Sequence, residues 1–258
     1  MADRLKGKVA VITGAGQGIG EACARAFAAE GAHVVIAERN RETGTAVAQS
    51  VSARGPQALF IETDIANSDS CAAMARAAEA AFGRVDILVN NAGVNVFHEP
   101  LATSDEEWRR CFAVDLEGVW FCTRAILPGM RQRRAGAVVN IASVHSFAVI
   151  PNTFPYPVAK HGLLGLTRAL GVQYAAEGIR VNAILPGYIE TQIAIDYWNT
   201  FPDPAAERRR TDEMHPPKRI GKPEEVAMAT VFLASDEAPF INAAALVIDG
   251  GRSVTYHE

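Results

Sequence analysis

Short apolar runs rich in β-branched residues alternate with longer alanine-rich stretches along this chain. The apolar runs predict strands at Val9–Thr13, His33–Ala37, Ala58–Glu62, Asp86–Asn90, Ala137–Ile141, Arg180–Ile184 and Ala245–Ile248. The stretches between them predict helices, most clearly at Glu21–Glu30, Arg41–Arg54 and Ser70–Phe82. Strands that alternate with helices indicate βαβ units and a parallel sheet, and nearly continuous apolar strands fit a sheet covered on both faces. The pattern predicts an α/β fold: residues 1–258 form a single doubly wound, Rossmann-like domain of about seven parallel strands with helices on both faces.

The region Tyr188–Pro217 is the least regular part of the sequence. It combines Trp198 with several prolines and the run Arg208-Arg209-Arg210. A long irregular segment in a compact domain is commonly a lid over an active site. We therefore expect a substrate loop or lid around residues 188–217, with a solvated insertion as the alternative.

Composition and charge narrow the classes of function. The 258 residues are 49% hydrophobic and carry a net charge of −4 with no evidently basic face, which favours a sizeable core and argues against nucleic acid as a partner. The four cysteines form no CxxC pair, and no histidine stands at metal-ligand spacing from them, so we expect reduced thiols and no metal.

The sequence shows neither the apolar stretch of a signal peptide nor a run of about 18 apolar residues. We expect a cytoplasmic protein that does not bind membranes.

A glycine-rich turn, Thr13–Gly20, follows the first predicted strand and opens the first helix. Glycine allows the backbone to approach a phosphate where a Cβ would clash, and the helix N-terminus offers free N–H groups and a positive dipole end. This context predicts a dinucleotide site, and a tight turn without a ligand is the alternative. The expected cofactor contacts in this turn are Gly14, Gln17, Gly18, Ile19 and Gly20.

The end of the second strand bears on the choice of cofactor. Glu38 lies roughly 20 residues past the turn, the usual offset of an acid that binds the adenine ribose. A carboxylate there repels a 2′-phosphate and favours NAD. Arg39 could pair with that phosphate, so NADP stays an alternative, as does a surface pair of Glu38 and Arg39 without a cofactor.

Together with motifs further along, the turn resembles the short-chain dehydrogenase/reductase family nearly from end to end. The motifs in chain order are Thr13–Gly20 (TGxxxGxG), Asn90–Gly93 (NNAG), Ser143, Tyr156–Lys160 (YxxxK), Pro186-Gly187 with Thr191, and Asp249–Gly251, the C-terminal signature. YxxxK alone is common by chance, whereas this ordered set is specific. The resemblance also implies a homotetramer.

The resemblance implies further contacts to a nicotinamide dinucleotide. They are Asp64 and Ile65 at the adenine, Asn91, Ala92 and Gly93 along the nicotinamide-side ribose, Pro186, Gly187, Ile189 and Thr191 in the segment that closes over the nicotinamide, and the pair Tyr156 and Lys160.

Tyr156, Lys160 and Ser143 carry the expected chemistry. Oxidation of an alcohol requires a base for the hydroxyl proton while hydride leaves for the nicotinamide. Free tyrosine has a pKa of about 10, and a nearby ammonium lowers it. Lys160 follows Tyr156 by four residues, so the two share one face of a helix, and Ser143 can bond the substrate oxygen. In isolation, Tyr156 would more often be a packing residue and Lys160 a solvated one.

Asp115 departs from the family pattern, which usually has Asn at this position to hold a water that joins the lysine to solvent. Asp accepts from such a water but cannot donate as an amide does. Its charge would raise the pKa of Lys160 and offset the pull of the lysine on Tyr156. We expect Asp115 to serve as a relay residue with an altered pH optimum; the alternative is a residue bonded to nearby backbone.

The substrate pocket is expected, by analogy with the family, to include Asn95, Ser143, His145, Phe154, Tyr156 and Tyr188. With Glu190 and Trp198 these residues indicate a polar pocket with aromatic walls, which suits a sugar; His145 could equally be a structural or surface residue. The stretch around Tyr156 resembles bacterial aldose dehydrogenases that oxidise C1 of L-fucose, L-arabinose or D-galactose to a lactone. Sugar-acid or polyol dehydrogenases and 3-oxoacyl reductases use the same frame. A cofactor-binding sensor without turnover is the alternative from another class.

Overall fold

The main feature of the computed structural model, which describes residues 3–53 and 55–256, is a parallel sheet. The strands are β1 (Val9–Thr13), β2 (His33–Glu38), β3 (Ala58–Glu62), β4 (Ile87–Asn90), β5 (Phe97–His98), β6 (Gly136–Ile141), β7 (Phe154–Pro155), β8 (Ile179–Pro186) and β9 (Ala245–Ile248). Seven of them form one sheet in the order β3-β2-β1-β4-β6-β8-β9, with every pair parallel. The short β5 and β7 pair antiparallel outside it.

Helices cover both faces of this sheet. They are α1 (Gly18–Ala29), α2 (Arg41–Ser52), α3 (Ser68–Phe82), α4 (Asp105–Phe112), α5 (Gly118–Arg133), α6 (Tyr156–Tyr174), α7 (Gln192–Trp198), α8 (Pro204–Glu213) and α9 (Pro223–Ala234). α1, α2 and α9 contribute to the core on one face, and α3, α5 and α6 to the core on the other. Val11 and Ile12 of β1 are both fully buried, one in each core. Because adjacent strand residues point to opposite faces, a sheet covered twice requires a continuous apolar run.

The seven-stranded parallel sheet with helices on both faces confirms the predicted fold class. Some helices begin or end at residues other than the predicted ones. α1 begins at Gly18 rather than at Glu21, because the glycine turn leads straight into the helix. The predicted end of the second helix at Arg54 lies outside the described residues.

The order of the strands positions the site. β1 pairs with β2 on one side and with β4 on the other, so successive connections leave β1 in opposite directions along the sheet. The loops at the carboxyl ends of these strands separate at such a point and leave a crevice, which is where doubly wound sheets bind ligands.

The segment 188–217 contains the helices α7 and α8 rather than irregular backbone. Asp203 caps α8 by accepting a hydrogen bond from the N–H of Ala206 at 2.9 Å, and Pro204 occupies the first helical turn. Trp198 at the end of α7 is buried and donates from Nε1 to the Thr211 hydroxyl at 3.3 Å. This bond joins the two helices, and the sequence pattern does not reveal it.

Candidate active site

The turn between β1 and α1 brings backbone very close to the neighbouring loop. Gly14 has a φ of +62°, and a Cβ on it would lie 2.7 Å from the Cα of Ala92, so glycine alone fits. Gly18, with a φ of +57°, opens α1. Among the described residues no side chain caps this helix N-terminus. Its free N–H groups and positive dipole end suit an anionic group such as a pyrophosphate.

Glu38, the last residue of β2, stands beside this turn. Its carboxylate accepts hydrogen bonds from the N–H of Gly16 at 3.1 Å and from the N–H of Asn40 at 2.9 Å. These bonds hold the carboxylate at the wall of the cleft, while Arg39 lines the same cleft with its side chain exposed. The backbone fixes the acid, whereas no hydrogen bond or ion pair within residues 3–53 and 55–256 orients the arginine.

A cleft of about 700 Å³ opens at the carboxyl ends of the central strands. It gathers most of the residues predicted from the sequence. Its lining includes Gly14, Gln17, Gly18, Ile19, Glu38, Arg39, Asp64, Ile65, Asn91, Ala92, Gly93, Asn95, Asp115, Ser143, His145, Tyr156, Lys160, Pro186, Gly187, Tyr188, Ile189 and Thr191. Residues far apart in the chain therefore share one cavity.

Two predicted residues lie outside this lining. Gly20 packs instead against the turn itself, where a Cβ would stand 2.1 Å from the carbonyl oxygen of Gly14. Phe154 lies in β7, with its ring 5.6 Å from that of Trp108. Gly20 is thus required for close helix–turn packing, and Phe154 is part of an aromatic cluster with Trp108 and Phe112.

Ser143, Tyr156 and Lys160 meet in one corner of the cleft. Tyr156 is the first residue of α6 and Lys160 lies one turn further on, with its Nζ 5.3 Å from the centroid of the Tyr156 ring. The ammonium also donates to the carbonyl of Ile141 at 3.3 Å. Ser143 follows β6 and is buried, and its hydroxyl accepts a hydrogen bond from the N–H of His145 at 3.1 Å. A phenol, a hydroxyl and an ammonium thus surround the point where a substrate oxygen would bind.

Asp115 is fully buried next to Lys160. It lies in a π-helical turn, Ala113–Glu117, between α4 and α5, and such turns often occur at functional sites. Its Oδ1 is 3.3 Å from Nζ of Lys160 and accepts from the N–H of Val94 at 3.2 Å. Its Oδ2 is 3.7 Å from Sγ of Cys111. The carboxylate therefore bonds nearby backbone, as the alternative to the relay role has it, and it also pairs directly with the lysine.

The direction of the Tyr156 pKa shift differs from the one expected from the sequence. Burial raises the pKa of Tyr156, and the charge of Lys160 lowers it only in part, so the net shift is upward rather than downward. Asp115 adds to this upward shift. Burial also opposes the charge on Lys160, but the nearby Tyr156 and Asp115 outweigh it and raise the lysine pKa. Burial raises the pKa of Asp115 itself, and Lys160 opposes that shift. As predicted from the sequence, the Asp115 charge raises the pKa of Lys160 and weakens the pull of the lysine on Tyr156.

Phe97 is a lining residue that sequence reasoning missed. Its ring stands edge-on to that of Tyr156 at 5.3 Å. The antiparallel pairing of β5 with β7 sets Phe97 opposite Pro155, directly before Tyr156. A two-residue strand has no detectable periodicity, so the sequence contains no signal for this contact.

Two of the residues that indicated a polar pocket are directed elsewhere. Glu190 forms an ion pair with Arg208 of α8 and does not line the cleft. Trp198 is buried between α7 and α8. Apolar side chains such as Ile150 and Ile193 are among the residues that do line the cleft. The substrate half of the cleft is therefore less polar than the sequence indicated.

The described residues hold neither a metal site nor a membrane span. Within residues 3–53 and 55–256, no three His, Cys, Asp or Glu side chains are grouped so that they could bind a metal ion. No helix in that part of the chain is long and apolar enough to cross a bilayer.

Comparisons with known proteins agree with this geometry. A family model described as enoyl-(acyl carrier protein) reductase matches residues 14–253. A cis-4-hydroxycyclohexanecarboxylate dehydrogenase of Sinomonas cyclohexanicum is 41% identical over 97% of this chain and 98% of its own. A 3beta-hydroxysteroid dehydrogenase 1 of Eggerthella lenta is 39% identical over 98% of this chain and 97% of its own. The crystal structure of levodione reductase superimposes with a TM-score of 0.93 at 34% identity, covering 98% of this chain and 100% of that one.

The chain belongs to the short-chain dehydrogenase/reductase family, and it is an oxidoreductase of the kind that acts on CH–OH groups. Family dehydrogenases use nicotinamide cofactors. The uncapped α1 N-terminus and the glycine turn fit the pyrophosphate of such a cofactor.

Proposed function

We propose that this protein is an NAD-dependent dehydrogenase of neutral, ring-shaped secondary alcohols or hemiacetals. The observation that carries the proposal is the meeting of Ser143, Tyr156 and Lys160 at the end of a cleft that begins at the glycine turn. Lys160 is buried, which argues against a solvated position, and both Lys160 and Tyr156 line the cleft.

The catalytic corner supplies proton transfer and orientation. The glycine turn and Thr191 would hold a nicotinamide dinucleotide, which would supply the hydride acceptor for the reaction. Ser143 donates a hydrogen bond to the substrate oxygen and fixes its position. Tyr156 accepts the hydroxyl proton at its phenolic oxygen. The Lys160 ammonium favours the phenolate that this requires, and Asp115 holds that ammonium in place.

The preference for NAD rests on Glu38. Two backbone N–H groups hold its carboxylate at the cleft wall, where it can accept from the adenine ribose hydroxyls. The same charge would repel a 2′-phosphate. Arg39 is not fixed in an opposing position, so the carboxylate determines the local field.

Neutral substrates are favoured by the charges in the cleft. The charged lining residues are Glu38, Arg39 and Asp64 near the glycine turn, and the buried pair Asp115 and Lys160. The remainder of the described lining offers apolar, aromatic and neutral polar groups. A carboxylate substrate would meet no countercharge there, and its desolvation would be unfavourable.

Ring-shaped substrates fit both the aromatic wall and the relatives. The ring of Phe97 and the phenol of Tyr156 border the reacting corner, and such faces pack on flat C–H-rich rings. Levodione reductase and the two dehydrogenases described above have cyclic molecules in their names. A monosaccharide oxidised at C1 is the second candidate, because Asn95, His145 and Asn152 place neutral polar groups in the same cavity.

α7 is proposed to act as the substrate lid. Gln192, Ile193, Ala194 and Tyr197 of this helix line the cleft. Ile193, Ile195 and Tyr197 are more than one-third exposed. A bound ring would cover part of this apolar surface.

We also propose a homotetramer, as the family resemblance implies. The edge strand β9 is largely exposed although it is apolar, and Phe240 beside it is fully exposed. Exposed apolar edges of this kind are usually covered by another chain.

A panel of alcohols assayed with NAD and NADP in parallel tests the proposed function. The panel contains cyclohexanol, cis-1,2-cyclohexanediol, L-fucose, D-galactose and 4-hydroxycyclohexanecarboxylate, and formation of reduced nicotinamide is measured. We expect turnover of the neutral cyclic compounds, with kcat/KM for NAD above that for NADP by about tenfold or more, because like-charge contacts are costly. Tight cofactor binding without turnover of any compound would favour the sensor instead.

The substitution Asp115→Asn is expected to move the pH–rate profile of alcohol oxidation to lower pH. The Asp115 charge raises the pKa of Tyr156, so its removal lowers that pKa and makes the phenolate available at lower pH. The measurement is kcat/KM against pH for the wild type and the variant. An unchanged rate and profile would remove Asp115 from the relay.

A further inference from the structure

The two oxygens of the buried Asp115 carboxylate have different partners. Oδ1 accepts from the N–H of Val94 at 3.2 Å and faces Nζ of Lys160 at 3.3 Å. Oδ2 lies 3.7 Å from Sγ of Cys111, which is a hydrogen-bonding distance for sulfur. Within residues 3–53 and 55–256, this thiol is the only hydrogen-bond partner of Oδ2. Asp115 is fully buried, so bulk water does not supply another donor.

The surroundings of Cys111 keep its sulfur protonated. Cys111 is fully buried near the end of α4 and belongs to a small apolar cluster with Val96 and Ala159. Burial and the Asp115 charge raise the pKa of its thiol to about 12. A protonated thiol is a weak donor, but a charged acceptor strengthens its hydrogen bond. Cys111 therefore donates to Oδ2, the oxygen that no other group satisfies.

The thiol is one residue removed from the catalytic lysine. Oδ1 of Asp115 holds the Lys160 ammonium, whose Nζ lies 5.3 Å from the centroid of the Tyr156 ring. A buried carboxylate oxygen without a donor is unfavourable, so without the thiol the carboxylate would gain by turning Oδ2 toward the ammonium. The ammonium would then shift from the position in which it favours the phenolate. The Cys111 thiol satisfies Oδ2 and so leaves Oδ1 as the oxygen that holds Lys160.

We propose that Cys111 is a positioning residue: its thiol fixes the Asp115 carboxylate so that Oδ1 holds the Lys160 ammonium beside Tyr156. This inference rests on the proposed function and adds a residue that does not line the cleft. It also implies that a carboxylate at position 115 depends on a donor at position 111. An uncharged amide at position 115 depends on that donor much less, because hydrogen bonds to charged groups are the stronger ones.

The test uses substitutions of two buried thiols. Cys111→Val and Cys111→Ala both remove the donor but differ in volume, whereas Cys111→Ser keeps a donor. Cys23→Val is the matched control, since Cys23 is also fully buried but lies in the core formed with α1, α2 and α9. Cys111→Val is also combined with Asp115→Asn. Oxidation of the best substrate from the alcohol panel is measured at the pH of maximal rate of each protein, and NADH fluorescence reports that each variant is folded.

The expected effect is on kcat rather than on cofactor binding. Cys111→Val and Cys111→Ala should each lower kcat about tenfold and leave KM for NAD within about twofold of wild type, as expected for one hydrogen bond to a charged group. Cys111→Ser should recover kcat to within about threefold of wild type. Cys23→Val should leave kcat as in wild type.

The double variant separates positioning from packing. In the Asp115→Asn protein, Cys111→Val should lower kcat by less than about twofold, because the charge that needs the donor is absent. An unchanged kcat in Cys111→Val, an equal fall with and without the Asp115 charge, or a Cys111→Ser variant as slow as Cys111→Val would overturn the inference. Wild-type protein that oxidises no alcohol of the panel would instead refute the proposed function, and with it the inference.

Discussion

Tyr156→Phe is expected to lower kcat for alcohol oxidation by about 10²–10⁴-fold, the usual contribution of a positioned acid–base group. The substitution removes the phenolic oxygen, which is the proton acceptor, and keeps the ring that packs edge-on against Phe97 at 5.3 Å. Binding of NADH should persist, because the glycine turn and Glu38 are untouched. Steady-state kinetics and NADH fluorescence measure the two effects separately.

Tyr174→Phe serves as the control for this prediction. Tyr174 is the last residue of the same helix and lies outside the cleft. Its loss of a hydroxyl should leave kcat as in wild type. Retention of more than a tenth of kcat by Tyr156→Phe would show that another group takes the proton.

Lys160→Met is expected to reduce the free energy of unfolding by about 3–5 kcal/mol, in addition to the loss of activity. The side chain of Asp115 is fully buried and forms an ion pair with Lys160 at 3.3 Å. Removal of the ammonium leaves a buried carboxylate without a countercharge, which is far more costly than the loss of an exposed pair. Urea unfolding measures the change.

The double substitution Lys160→Met with Asp115→Leu separates stability from catalysis. Replacement of a buried ion pair by apolar residues of similar size is often neutral or stabilising. We expect it to recover most of the lost stability while activity stays absent, since the phenol then lacks its ammonium. Equal stability of Lys160→Met and wild type would mean that Asp115 is neutral or otherwise partnered in the folded protein.

The fold could be predicted because its sheet is covered twice. Residues such as Val11 and Ile12 are buried on opposite faces, so the strands stand out as unbroken apolar runs between amphipathic helices. The structure of the segment after β8 was harder to predict from the sequence. α7 and α8 are short, and they are held by side-chain contacts such as the hydrogen bond from Trp198 to Thr211, which no periodicity encodes.

The residues proposed to bind the cofactor could also be predicted from the sequence, because the glycine turn and Glu38 act through backbone conformation and local spacing. The residues of the substrate half could not be predicted in this way. Phe97 reaches Tyr156 through a two-residue strand pair, and Glu190 is turned away by Arg208. Both are tertiary effects. The pKa of Tyr156 likewise depends on burial, which outweighs the lysine that the spacing reveals.

Transfer of deuterium tests the central claim most directly. Wild-type protein is incubated with NAD and cis-1,2-cyclohexanediol deuterated at its carbinol carbons, and the nucleotide is analysed by mass spectrometry. The account predicts reduced NAD that carries one deuterium, formed about 10²–10⁴-fold more slowly by Tyr156→Phe. Absence of label in the nucleotide with wild type, or label transfer by Tyr156→Phe at more than a tenth of the wild-type rate, would contradict it.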